Sequence, residues 1–208
     1  LPVRPPELRE ERDRIDEPVP PLLDASLMTA EFHAHTTASD GVMTLTELVD
    51  RARARGLHTL AVTDHSKSSA QANGLSEERL RAHIEAVREI DAARDDIRVL
   101  AGSEVDIHAD GRLDYDDELL AELDLVVASP HASLRQDPAV ATSRLLAAIR
   151  HPLVNILGHP TGRIINKREG LSPDLPALIE AAVACGTALE INAHPQRLDL
   201  RDVHVRLA

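Results

Sequence analysis

The chain has 208 residues, 43% of them hydrophobic, with a formal net charge of −12, 11 histidines, and Phe32 and Tyr115 as its only aromatic residues. That length supports one compact domain with a tail. The acidic balance excludes nucleic-acid binding through a broad basic face, and the shortage of aromatics excludes base-stacking platforms.

The lone cysteine, Cys185, has no disulfide partner in the chain and points to a reducing compartment. It precedes Gly186 at a predicted helix end and is expected as a packed core thiol. No apolar run of about 18 residues is present to cross a membrane. No basic-then-apolar leader opens the chain, so a cytoplasmic location is expected.

Residues 1–30 hold six of the 13 prolines, interleaved with charges such as Glu7, Arg9 and Glu10. Proline fixes φ and removes a donor, so this stretch is expected to be an extended linker from a preceding domain. From residue 31 to 208 short apolar runs alternate with amphipathic segments. The runs are Leu60–Val62, Val99–Ala101, Leu125–Ala128, Val154–Leu157 and Ala188–Ile191, each with the look of a buried parallel strand.

A capping box at Thr44 to Glu47 opens the first helix, which stops at Gly56. The second runs from Ser76 with Leu80, Ile84 and Val87 at helical spacing, Asp91 being a solvent-side exception. Asp137 before Pro138 opens the fourth, and the fifth ends at Gly186. Such alternation predicts an α/β fold with a parallel sheet, either open or closed into a barrel. The first residue is not Met, and Leu207-Ala208 fall at what reads as a helix start, so the chain is expected to be a piece of a longer protein.

The residues at the end of each run carry the functional signal. His33 and His35 end the first strand, His65 the second, Glu104 the third, His131 the fourth and His159 the fifth. One ligand-type side chain per strand–helix unit favours a barrel, where strand ends converge on one mouth. His33 and His35, two apart on a strand, share a face and can grip one ion. Glu104 can join neighbouring ions through its two oxygens.

With no thiolate present, a closed structural zinc site is not expected. An open site with two or three divalent ions, Mn, Zn or Fe, suits this donor set; it would generate hydroxide and stabilise phosphoryl charge. Asp40 before Gly41 reads either as a turn residue or as a further ligand. Lys67 and Arg163 read either as solvated charges or as contacts for a substrate phosphate. His58, His83, His108, His151, His204 and His194 read as ordinary structural residues.

The stretch His33-Ala34-His35-Thr36-Thr37-Ala38-Ser39-Asp40-Gly41 resembles the first motif of the polymerase-and-histidinol-phosphatase (PHP) domain family. Thr63 to Ser68, Ala72 to Leu75, Gly158 to Arg163, Glu190 to Ala193 and Arg197 to Leu200 resemble one branch, the C-terminal PHP domain of bacterial family X DNA polymerases. Pro5 to Glu10 resembles the end of their polymerase core.

The resemblance implies a distorted (βα)7 TIM-like barrel, here cut short after about six strands. It implies a trinuclear Mn or Zn site and a 3′–5′ exonuclease with related 3′-end-cleaning or abasic-site phosphodiesterase activity in DNA repair. It places His33, His35 and Glu104 on one metal, Asp40 and His65 on a second, and Glu104, His131 and His159 on the third. A final Asp-x-His pair is expected beyond Ala208, so this piece alone is expected to be poorly active. DNA is the implied partner, engaged mainly through the preceding polymerase domain, with the nucleoid as the implied location. A histidinol-phosphatase-type monoesterase and a non-catalytic structural domain are the alternatives.

Overall fold

The computed structural model describes residues 24–208. The expected linker of residues 1–30 therefore lies mostly outside the described residues. Six strands and six helices follow a short 3-10 turn at Ala25–Leu27: β1 Ala30–Ala34, α1 Leu45–Ala54, β2 Thr59–Val62, α2 Glu77–Ala92, β3 Arg98–Asp106, α3 Asp117–Leu120, β4 Leu125–Ser129, α4 Pro138–Ile149, β5 Ile156–Leu157, α5 Leu175–Cys185, β6 Ala188–Leu189 and α6 Asp202–Val205.

Local chemistry sets these boundaries. The Thr44 hydroxyl accepts from the Glu47 amide while the Glu47 carboxylate accepts from the Thr44 amide at 2.8 Å, the reciprocal pair that starts α1. Ser76, Asp137 and Asp174 cap α2, α4 and α5, the last two with proline in the first turn. Gly186 ends α5 at φ 73°, a conformation that glycine adopts without strain.

The strands pair in parallel in the order β1-β2-β3-β4-β5-β6. Each strand neighbours the next in sequence, so no topological switch point exists of the kind an open doubly wound sheet requires. The sheet curls into an arc of a TIM-like α/β barrel. Its curl brings the ends of β1 and β6 together, where His33 Nδ1 lies 2.7 Å from Glu190 Oε1. Leu48 and Val49 of α1, Leu80, Ile84 and Val87 of α2, Leu145 and Ile149 of α4, and Leu178 of α5 pack on the strands as one core. No described helix is long and apolar enough to cross a membrane.

Three local expectations are corrected. β3 runs nine residues, so Glu104 lies within the strand, not after it. Gly102 permits this: a Cβ there would come within 2.8 Å of the Leu125 carbonyl and 2.9 Å of the Thr63 methyl. β5 and β6 are two residues each; the Asn155 side chain caps the Val126 amide at 2.8 Å, and Glu190 turns inward toward the barrel mouth. Cys185 is exposed rather than packed, because the last turn of α5, from Val183 to Gly186, faces outward throughout. Asp91 also has a structural task, accepting from the Val99 amide at 2.7 Å and pairing with Arg98.

Arg144 is the largest fully buried side chain. From α4 its guanidinium donates to the Ala132 carbonyl at 2.9 Å, to Gln136 Oε1 at 3.1 Å and to the Ile107 carbonyl. It thus ties the exits of β3 and β4 to one helix. Removing it strands the buried Ile107 carbonyl, at a cost of roughly 1–3 kcal/mol, and also unmakes the half-buried bonds to Ala132 and Gln136. Arg144→Ala is expected to lower unfolding free energy by about 3 kcal/mol in urea titration; an unchanged midpoint would show that these carbonyls find other donors.

Candidate metal centre

The loop after β1 is shaped by one buried carboxylate. Asp64 accepts from the Thr36 amide at 2.9 Å, the Thr36 hydroxyl at 2.7 Å, the Ser39 amide at 3.1 Å and the Ser39 hydroxyl at 2.5 Å. His83 of α2 reaches it from behind at 2.9 Å. Burial pushes the Asp64 pKa up, but His83, Ser39 and Thr36 more than reverse this and hold it at about 2. The loop therefore wraps an ionised carboxylate and presents Asp40 at its tip. Gly41 completes the turn, since a Cβ there would sit 2.3 Å from the His35 carbonyl oxygen.

At the barrel mouth Glu104 is 1% exposed and is ringed by imidazoles. Its Oε1 lies 3.2 Å from His33 Nε2, 3.3 Å from His131 Nε2 and 2.8 Å from His159 Nε2. Its Oε2 lies 3.4 Å from His35 Nε2 and 3.0 Å from His65 Nδ1. The five rings form a closed circuit, His33–His35–His65–His131–His159, with neighbouring centroids 4.4 to 5.9 Å apart. Asp40 joins from the rim, 2.8 Å from His35 Nδ1 and 3.5 Å from His65 Nε2. All seven residues expected as ligands thus line one cleft of about 380 Å³.

The donors suit cations. Glu104 Oε1, His65 Nδ1 and His159 Nδ1 are buried without a well-aligned hydrogen bond, although several nitrogens stand close to the carboxylate. Lone pairs facing one another at this range fit ligands that converge on positive charge better than they fit a hydrogen-bond network. Three overlapping triads have donor atoms within 4.8 Å of one another: His33/His35/Glu104, His35/Asp40/His65 and His65/Glu104/His131. Compared with the grouping implied by the resemblance, His35 and His65 each belong to two triads, and His159 approaches through Glu104.

Outer carboxylates, which the sequence analysis did not single out, hold the rings. Glu190 accepts from His33 Nδ1 and, at 2.5 Å, from the His159 amide. Asp106 pairs with His131 Nδ1 and with the Ser69 hydroxyl at 3.1 Å. A signal for both existed: Glu190 is the one charged residue inside the apolar run Ala188–Ile191, and Asp106 shares a strand face with Glu104 two residues away.

Burial pushes the His33 pKa down, but Glu104 and Glu190 outweigh it and raise it to about 10. Burial opposes His131 in the same way, and Asp106 with Glu104 raises it to about 9. Burial pushes Glu104 up, yet His33, His131 and His159 hold it well below the usual carboxylate range. In the ion-free protein the centre is an imidazolium–carboxylate cluster.

Other candidates lie elsewhere. Lys67 pairs with Glu77, and Arg163 donates to the Arg197 and Leu198 carbonyls, each at 2.8 Å; neither lines the cleft. His58 contacts Thr59, His108 contacts Asp114, His151 contacts Asp117 and His204 contacts Arg201, all away from the cleft. His194, read as structural, does line it, with Asn192, Gln196 and Arg197.

The sequence pattern of the PHP domain matches residues 31–194. Across all of its length the chain is 40% identical to the DNA polymerase/3′-5′ exonuclease PolX of Bacillus subtilis, of which it spans 37%. It is 31% identical over 78% of its length to a probable phosphatase of Syntrophotalea carbinolica, and 32% identical over 80% to one of Edwardsiella ictaluri, spanning 64% of each.

The raised histidine pKa values set a signed pH dependence. In the ion-free protein their stabilisation is fully present below the unfolded value of 6.5 and is lost as pH rises through about 9 to 10. Metal uptake must displace the same protons, so affinity rises over that window. The melting temperature in chelator should therefore fall from pH 6.5 to 9.5 relative to that with Mn. A gap between the two that stays constant with pH would contradict the assignment of these protons.

Proposed function

The chain belongs to the PHP domain family, and from that membership we propose that it is the phosphodiesterase domain of a family X DNA polymerase, trimming or cleaning DNA 3′ ends. It is a PHP phosphoesterase domain, and PHP domains are metal-dependent. The observation that carries the reading is the buried Glu104 carboxylate encircled by five imidazoles at the ends of β1, β2, β4 and β5. The ligands we assign are His33, His35, Asp40, His65, Glu104, His131 and His159, for two or three ions of Mn or Zn, with Fe also suited to the imidazoles.

Divalent ions bound there supply charge to a phosphoryl oxygen and acidity to water. The protein's own share is orientation. Glu190 and Asp106 each accept a hydrogen bond from Nδ1 of a ring, of His33 and His131 respectively, leaving Nε2 aimed at the centre. Asp64 keeps the Asp40 loop in place. Arg197 and Gln196 at the rim offer donors to the non-bridging oxygens of a phosphate ester.

The 40% identity over the whole chain to the Bacillus polymerase/exonuclease favours a nucleic-acid diester. A preceding polymerase domain, joined through residues 1–30, would bring the DNA. The similarity to probable phosphatases supports a second reading, a small-molecule phosphomonoesterase of the histidinol-phosphatase type. A non-catalytic domain would have no need to keep all seven donors.

Full-length protein with Mn, assayed on 3′-recessed DNA and on histidinol phosphate, separates these readings. DNA hydrolysis is expected to fall about a hundredfold or more in His131→Ala and roughly 10–100-fold in Asp106→Asn. Nucleotide addition by the full-length protein should be retained. Wild-type nuclease rates in His131→Ala would remove that residue from the ligand set, and turnover of histidinol phosphate alone would replace the diesterase reading with the second one.

A further inference from the structure

A second cavity of about 700 Å³ opens beside the metal cleft, formed by the loop after β5 and the start of α6. Its lining includes Arg163, Lys167, Arg168, Arg201 and His204, with Glu169 the one acid among the lining residues. Such a concentration of positive charge stands out on a chain of net charge −12. Ile164 belongs to the walls of both cavities, so they adjoin.

The loop is built to hold its shape without a ligand. Ile164 and Arg168 exchange backbone hydrogen bonds of 2.8 Å, and the Lys167 amide donates to the Ile164 carbonyl at 3.0 Å. Asp199, fully buried, accepts from the Thr161 and Gly162 amides at 3.0 and 2.9 Å. Arg168 Nε donates to the Gly162 carbonyl at 2.8 Å.

We propose that this cavity is a second anion site, which grips the phosphodiester backbone of a nucleic-acid strand while a terminal phosphate of that strand lies in the metal cleft. The proposal rests on the diesterase reading above and adds to it where the strand runs. Two observations converge on it. His204 Nδ1 and Arg197 Nη1 are buried nitrogens with no hydrogen-bond partner, one in each cavity. The basic groups press on one another: burial and the charge of Arg197 lower the Arg168 pKa, and burial with Arg201 and Arg163 lowers that of His204. Like charges gathered around a cavity are unfavourable until an anion enters between them.

Two adjoining anion sites also select the ligand. A phosphomonoester has one phosphate and fills only the metal cleft. A polynucleotide carries one charge per nucleotide and can occupy both, and the acidic remainder of the surface repels it from other paths.

The test is binding rather than turnover, with the full chain in EDTA and a short labelled oligothymidylate followed by fluorescence anisotropy over a series of NaCl concentrations. Wild type is expected to bind with a Kd of about 10–100 μM at low salt. Lys167→Glu combined with Arg201→Glu should weaken this at least about tenfold and reduce the salt slope by about two. The neutral pair Lys167→Gln and Arg201→Gln guards against misfolding: with an unchanged melting temperature and Mn uptake it should still flatten the slope.

Equal affinity and slope in wild type and the neutral pair would overturn the proposal. So would inorganic pyrophosphate that binds at these cations, is lost in the variants, and fails to compete with the oligonucleotide, since that marks a small-anion site. Failure of Mn-dependent DNA hydrolysis would instead sink the diesterase reading, whatever the anisotropy shows.

Discussion

Everything at the barrel mouth answers to one buried negative charge. Glu104 is 1% exposed, and an ionised carboxylate withdrawn from water costs several kcal/mol unless positive charge offsets it. The fold surrounds it with five imidazoles from four other strand ends, and among the described residues no lysine or arginine is paired with it. Positive charge can then arrive in two forms only, as protons on the rings or as metal ions between them. The raised pKa values of His33 and His131 describe the first state. The orphaned atoms Glu104 Oε1, His65 Nδ1 and His159 Nδ1 are suited to the second.

The surrounding structure holds the donor side chains in place. Asp64 holds the loop of Asp40 through four hydrogen bonds from Thr36 and Ser39, Glu190 and Asp106 hold two of the rings, and Arg144 binds the exits of β3 and β4 to α4. Glu190 and Asp106 touch ligand rings themselves, whereas Asp64 and Arg144 act on the backbone segments that carry the ligands. At larger scale, four of the chain's 23 lysines and arginines, Arg163, Lys167, Arg168 and Arg201, line the second cavity of a domain whose net charge is −12.

Much of this was legible in the sequence because the two relevant periods are short. Apolar runs of about four residues marked β2 and β4 almost to the residue, and the side chains that follow each run identified His33, His35, His65, His131 and His159. Capping chemistry at Thr44, Ser76 and Asp137 located three helix starts. What stayed hidden depends on contacts between distant segments. Glu190 meets His33 across 157 positions of sequence. Arg163 looked available for a phosphate, yet its guanidinium is spent on the Arg197 and Leu198 carbonyls. Cys185 fits the helical period of a core face, but the last turn of α5 faces outward. Periodicity reports which face a residue occupies and says nothing of whether a partner covers that face.

The claim that Glu104 bridges a multi-ion centre is tested most directly by metal stoichiometry. Full-length protein and its Glu104→Gln variant would be dialysed to equilibrium against Mn and measured by inductively coupled plasma mass spectrometry. The account predicts at least two ions per chain in the wild type, and one or none in a folded Glu104→Gln variant, because the amide keeps the shape and loses the bridging charge. Equal metal content in the two proteins, or none above background in the wild type, would contradict it.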